Sequence, residues 1–443
     1  MARRTKKTQW KLAGWPRNLN IRPPPVENDS HNRCQLISNL DQIQLHAPWL
    51  EWMPARFGYD KSADYAVTAL SNALQYNRLP SADVRLARAA FENYDNAVRC
   101  LRADLSCSDR RGLADGTFIC IAALSIYEMV MQENDPHWQD RLRSHWTGVN
   151  AVLQARRQSP HLSNVARGIV YSLVIDLTED SMAQGRPSVC GQDHLLNIDP
   201  PERLLSRPAN SLSLSKVTYQ LIAQFPSLLN GLRAARCSHR ETHEELDAVF
   251  RLAERLVNVS NDACESAILH ATTVQKSTVD SKIVPFELVF KIPEDVVVAI
   301  NYWLIRMATI NGYLKLVQTH PHLAHDQETI NRSMAEKERY YTNMMMVWHQ
   351  ATLLGPFTLV RVGTGLLQNW QHLRRTRTWR GLQSIEVVDW VLSKLDKKSF
   401  AGSSAVLGPA EYDILADYIV GGPLEALQAA NLKDFFLWVD RKA

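Results

Sequence analysis

From residue 80 onward the hydrophobic positions recur three and four apart. Pro80-Ser81 offers a start signal, and Ala87, Phe91, Tyr94, Val98, Leu101 and Leu105 then form one stripe, the mark of an amphipathic helix. Residues 117–132 are apolar on almost every side, which predicts a helix buried all round. Asp135-Pro136 opens the next helix, whose inner face carries Trp138, Leu142, His145, Trp146, Val149 and Leu153. Helical periods continue near 163–178 and 214–230. A longer one at 242–258 turns Leu246, Val249, Phe250, Ala253 and Leu256 inward. The stripe at 294–317 is unbroken, running Val296, Ile300, Trp303, Met307, Ile310, Leu314, Val317. Further helices are predicted at 328–354, 356–374, 384–397 and 409–420, with Pro356 and Pro409 where first-turn prolines belong. Alternation of period two is faint and confined to 283–292. The pattern predicts an all-α protein, a multi-helix bundle or array of antiparallel helices with no significant sheet.

The breaks in this pattern set the organisation. Residues 1–30 form a basic arm: Arg3, Arg4, Lys6, Lys7, Lys11, Arg17 and Arg22 precede the first acid, Glu27, and Pro23-Pro-Pro25 closes the run. Arg3, Arg4, Lys6 and Lys7 are candidates for nuclear targeting or phosphate contact; a solvated tail is the plainer reading. Residues 31–443 read as one large helical domain. The Pro-, Ser- and Gly-rich stretch 181–213 is a long loop or a subdomain boundary, and Lys397 to Gly408 is a second loop.

Composition narrows the function classes. The 443 residues are 45% hydrophobic, enough for a sizeable core, and the net charge of +4 demands no nucleic acid. No apolar run approaches the roughly 20 residues that span a bilayer, and no secretory leader is seen. The seven cysteines are scattered and never form Cys-x-x-Cys, as free thiols in a reducing compartment would be. Nucleotide-loop, nucleophile-elbow and zinc-protease motifs are absent, so no cofactor and no metal is expected. His239 and His243 are four apart, but they lie in the strongly polar run Ser-His-Arg-Glu-Thr-His-Glu-Glu, which reads as a solvated helix start. His320, His322 and His325 sit in a Pro-containing loop. Arg374, Arg375, Arg377 and Arg380, interleaved with Trp379, suit phosphate or, more plainly, a helix C-terminus.

The apolar helix at 117–132 carries Tyr127 and Glu128, and the next helix turns His145 inward. A buried carboxylate requires a partner or a raised pKa. One reading pairs Glu128 with an arginine and makes His145 a core histidine. The other has Tyr127, Glu128 and His145 line a cavity for a small molecule, with Trp146, Tyr302, Trp303, Trp348 and His349 as aromatic or titratable walls.

The segment AALSIYEMVMQEN…HWQDRLRSHWTGVNAVLQARRQ resembles the fungal-specific transcription factor domain, the regulatory region of zinc binuclear cluster proteins. Tyr127, Glu128, His145, Gly148, Ala151, Leu153 and Arg156 match in order, and FKIPEDVVVAINYWLIRMATINGYL is similar to a second element of that family. The six-cysteine DNA-binding module of the family has no counterpart: Cys34 is the only cysteine before residue 100. The resemblance implies a nuclear regulator of fungal secondary metabolism. It would work through protein partners, a DNA-binding co-regulator or a small-molecule effector, with no direct sequence-specific DNA binding and no membrane. The alternative is a cytoplasmic enzyme on the same scaffold, a cofactor-independent lyase, isomerase or cyclase acting on an aromatic, polyketide-like substrate, with Glu128, His145, Tyr302 and His349 as candidate catalytic groups. A reading frame shortened at the cysteine module is a third possibility.

Overall fold

The computed structural model describes residues 34–39, 47–78, 84–106, 114–131, 138–156, 162–201, 209–237, 243–277, 282–323, 326–354, 356–395 and 409–430. The basic arm with Arg3, Arg4, Lys6 and Lys7, the loop 397–408, His239 and His325 lie outside them. Among the described residues the fold is all-α, with sixteen α-helices and two small two-stranded sheets.

After a helical segment at 34–39 and a 3-10 helix Pro48–Ala55, the first five helices are α1 (Lys61–Arg78), α2 (Val84–Ser106), α3 (Asp115–Val130), α4 (Trp138–Ala155) and α5 (Asn164–Ala183). Helix α1 packs between α2 and α3, and α3 packs on α4 and α5. Thirteen consecutive residues of α3, Gly116 to Glu128, are buried, as its all-round apolarity requires. Ser163 caps α5 by accepting from the Ala166 amide at 3.1 Å. Gly168 of α5 faces Trp52 and Trp49 of the 3-10 helix so closely that a Cβ there would sit 2.7 Å from the Trp52 ring.

Residues 184–201 are not an open loop. They form a 3-10 turn, Val189–Gly191, and a short α6 (Asp193–Leu196), and Val189, Cys190 and Leu195 are buried. Tyr219 on α7 donates to the Leu195 carbonyl at 3.1 Å and fastens this stretch to the core. Ser and Pro suggested a loop because the segment is irregular; apolar residues at its turns nevertheless pack.

The second half is built around α7 (Ala209–Cys237), α8 (His243–Val257), α9 (Asp262–Ala271), α10 (Pro293–Thr319), α11 (Gln327–Leu353) and α12 (Pro356–Leu367). Helix α10 starts at Pro293 with Glu294 and Asp295 in its first turn, where acids suit the helix dipole. It packs against α7, α8, α11 and α12 and is the axis of this half. The period at 356–374 breaks at Gln368-Asn369, giving α12 and a short α13 (Trp370–Arg375). Asn311 and the Leu304 carbonyl of α10 capture Gln368 there, at 3.1 and 3.2 Å. Helices α14 (Ser384–Leu395), α15 (Pro409–Ile419) and α16 (Leu424–Ala429) are the last among the described residues.

The faint alternation at 283–292 is strand β2 (Phe286–Phe290), antiparallel to β1 (Thr272–Lys276) with Val274 opposite Leu288. Gln350 of α11 both donates to and accepts from the Phe290 backbone, at 3.0 and 2.9 Å, and so closes the edge of β2. A minimal hairpin, β3 (Thr378–Trp379) and β4 (Leu382–Gln383), follows α13. One hydrophobic cluster runs from Leu36 to Ile419 through both halves. No helix among the described residues is long and apolar enough to cross a membrane. Cys34, Cys100, Cys120, Cys190 and Cys264 are free thiols.

Candidate functional site: a charged cluster between α5 and α12

Glu128 ends α3 with its side chain fully buried, and Arg141 of α4 clamps it with two hydrogen bonds of 2.7 and 2.8 Å. His145, one turn further along α4, lies with Nε2 3.8 Å from the same carboxylate and 3.1 Å from the hydroxyl of Tyr94 on α2. Tyr127 lies against the Tyr94 ring at 4.8 Å. Burial pushes the Glu128 carboxyl up, but hydrogen bonding to His145, Arg141 and Tyr94 outweighs it and holds the group below the usual carboxylate range. Burial and the Glu128 charge together push the Tyr94 phenol well up. The carboxylate therefore stays charged and clamped at neutral pH. This node joins α2, α3 and α4, and the arginine partner considered from the sequence is Arg141.

The other candidate residues go elsewhere. Tyr302 lies in the core between α10 and α11, its hydroxyl 3.5 Å from that of Tyr340, beside a buried Arg306–Glu336 pair at 2.6 Å. Trp303 packs on Phe290, Trp348 on Trp390, and Trp146 is buried in the main core. His349 is exposed on α11. The structure thus brings Tyr127, Glu128 and His145 together and keeps Tyr302 and His349 apart from them. His243 and His322 approach to 6.2 Å between ring centres, and His320 and His322 to 6.0 Å, yet no group of three metal-binding side chains forms among the described residues.

A different set of groups carries stronger chemistry. Asp176 and Glu179, one turn apart on α5, share an interior with Arg361 of α12. Helices α5 and α12 make few close backbone contacts, so the approach between them is through side chains. All three are closely surrounded by protein, yet each keeps part of its surface accessible. Among the described residues none of the three makes a hydrogen bond or an ion pair within 4.0 Å.

Burial pushes Asp176 up to about 6 against the pull of Arg361. Burial, with the Asp176 charge beside it, pushes Glu179 up to about 8. Burial also lowers Arg361, which the two carboxylates oppose. At neutral pH the cluster therefore holds an acceptor, Asp176; a donor, the protonated Glu179; and a cation, Arg361. That set can bind a polar ligand or move a proton. Sequence reading missed it because Asp176 and Glu179 sit in an ordinary-looking helix and Arg361 is remote in the chain. The one signal was two acids a turn apart within an otherwise apolar period.

No protein-family model matches the chain, and neither a curated protein nor a solved structure is similar to it.

Proposed function

We propose that this protein is a regulator of the transcription-factor type that responds to a small polar effector bound between α5 and α12. The observation that carries the effector reading is the trio Asp176, Glu179 and Arg361: three ionisable groups enclosed in protein without contact partners among the described residues. Leaving such groups unpaired is costly, and a ligand with complementary donors and acceptors removes that cost. The resemblance to the regulatory domain supports the rest. Its matched residues have a common physical role, the clasp of α3 and α4: Glu128 and His145 form the node above, Gly148 lies against Ile121, and Arg156 reaches Asp115 at 3.2 Å. The nucleus as the site of action and a DNA-binding co-regulator as partner belong to the same proposal.

Two measurements test it. Native mass spectrometry of mildly purified protein is expected to find a bound small molecule that Arg361→Met and the pair Asp176→Asn, Glu179→Gln release while the fold is kept. In living fungal cells the fluorescently tagged chain is expected to accumulate in the nucleus, and Ala at Arg3, Arg4, Lys6 and Lys7 to abolish this. Protein that retains no small molecule, together with a wholly cytoplasmic wild-type chain, would sink the reading.

The enzyme reading draws support from one feature. Asp176 at about 6 and Glu179 at about 8 are a base and an acid poised on either side of neutrality. It moves from Glu128, which Arg141 occupies, to this pair. Conversion of the retained molecule on incubation at pH 7, lost in Asp176→Asn, separates an enzyme from a sensor.

A further inference from the structure

The arginine cluster at the end of α13 and the hairpins beside it build a second feature, remote in chemistry from the cluster between α5 and α12. A groove of about 310 Å³ lies between the β1–β2 hairpin, α11 and the β3–β4 turn. Val284 and Phe286 form one wall, Met345 and Met346 the floor, Trp379 and Leu382 the other wall. Phe286 is 52% exposed, an unusual state for a phenylalanine beside so many apolar neighbours. Trp379 is fixed in its wall by donating its indole N–H to Glu338. The two methionines make the floor adaptable in shape.

The rim is cationic. Arg380 is exposed, with its guanidinium 5.7 Å from the Trp379 ring centre. Arg375 and Arg377 are exposed just before β3, and neither they nor Arg380 makes an ion pair among the described residues. Lys282 stands on the opposite rim, held to Glu386 at 2.6 Å.

The turn itself supplies an independent observation. Arg380 and Gly381 both have positive φ, 49° and 80°, in a two-residue hairpin connection. That backbone shape favours Asn-Gly, and a long side chain in the left-handed region is strained. The fold needs no arginine there; the strained position sets a cation in the lining of the groove.

We propose that this groove docks an acidic, amphipathic segment of a partner protein: one large apolar side chain seated between Phe286, Met346 and Trp379, with flanking carboxylates on Arg377 and Arg380. Charge complementarity names the partner's sign, and the apolar floor names its anchor. A nucleic acid would use the cations but not the floor. The proposal stands without the effector site between α5 and α12; it rests on the regulatory reading only in looking for a protein as the partner.

The test uses the full chain and fluorescence anisotropy. The probes are a panel of labelled 15-residue peptides in which Asp and Glu flank a single Phe, Trp or Leu. The controls are the same peptides with the anchor changed to Ser, peptides with Lys for the acids, and a 15-nucleotide single strand and duplex. At least one acidic anchored peptide is expected to bind with Kd of about 1–100 μM. Arg380→Glu and Met346→Glu are each expected to weaken it about tenfold or more. Arg380→Asn suits the turn better, so it is expected to raise the melting temperature while weakening binding, which separates docking from folding. Rising salt is expected to weaken binding as well. The proposal falls if no acidic peptide binds saturably up to about 1 mM, if Ser-anchored peptides bind equally, if the nucleic acids bind more tightly, or if the folded Arg380→Asn protein binds as well as wild type.

Discussion

At the scale of single residues, Glu128 and Glu179 are opposites. Both are acids enclosed in helical core, but one has partners and the other, among the described residues, does not. Arg141 answers the Glu128 charge directly, so its proton is lost readily and its stabilisation is present above the ordinary value of 4.5, fading as pH falls through the lowered folded value. Arg141→Met removes the clamp and leaves the carboxylate buried. It is expected to cost about 3–5 kcal/mol at pH 7 and much less at pH 4, where the carboxyl can take up a proton; denaturant titrations at the two pH values measure this. Glu179 runs the other way. Between 4.5 and about 8 the unfolded chain has released the proton that the folded chain still holds, so stability declines as pH rises through that window. Glu179→Gln cannot ionise. It is expected to gain about 1–3 kcal/mol on wild type at pH 8 and to differ little at pH 4. Equal effects at both pH values would show that Glu179 is not held protonated.

At the scale of elements, the contacts between helices decide which small residues are obligatory. A Cβ on Gly116 would lie 1.7 Å from Asp60 Oδ2, and that carboxylate is already held by Ser62 and the Ala63 amide at 2.7 and 3.1 Å. At Gly148 the nearest atom, on Ile121, is 3.4 Å away, an ordinary contact. Gly116→Ala is therefore expected to destabilise by about 1–3 kcal/mol through overpacking of α1 on α3. Gly148→Ala is expected to be neutral or to gain up to about 1 kcal/mol from helix propensity. Hydrogen exchange should quicken in α1 and α3 of the first variant only. The longest element missing from the sequence reading was α1; the shorter α6, α9 and α16 and strand β1 were missed as well. Eleven residues of α1 are buried, but they are mostly Ala, Ser, Thr and Asn, so no stripe of large hydrophobics announced it. Helix α2, with its clear stripe at 87–101, was legible because only one face packs.

At the scale of the molecule, one hydrophobic cluster joins the two halves through α5 and α7. A single calorimetric unfolding transition is expected; two resolved transitions would mark the stretch 181–213 as a real boundary. Most of the helices, the buried character of α3 and an arginine partner for Glu128 were readable from the chain alone. Such properties are local: a helix repeats its environment every three or four residues, and a lone acid in an apolar run announces its need of a counter-charge. The break at Gln368-Asn369 and the burial of 184–201 were not readable, since both depend on hydrogen bonds to α10 and α7. The approach of Asp176 and Glu179 to Arg361, the parting of Tyr302 and His349 from Glu128, and the joining of Phe286 to Trp379 and Arg380 were decided by the tertiary structure alone. Periodicity says which face of a helix turns inward; what it meets there depends on distant segments whose own sequences are uncoupled from it.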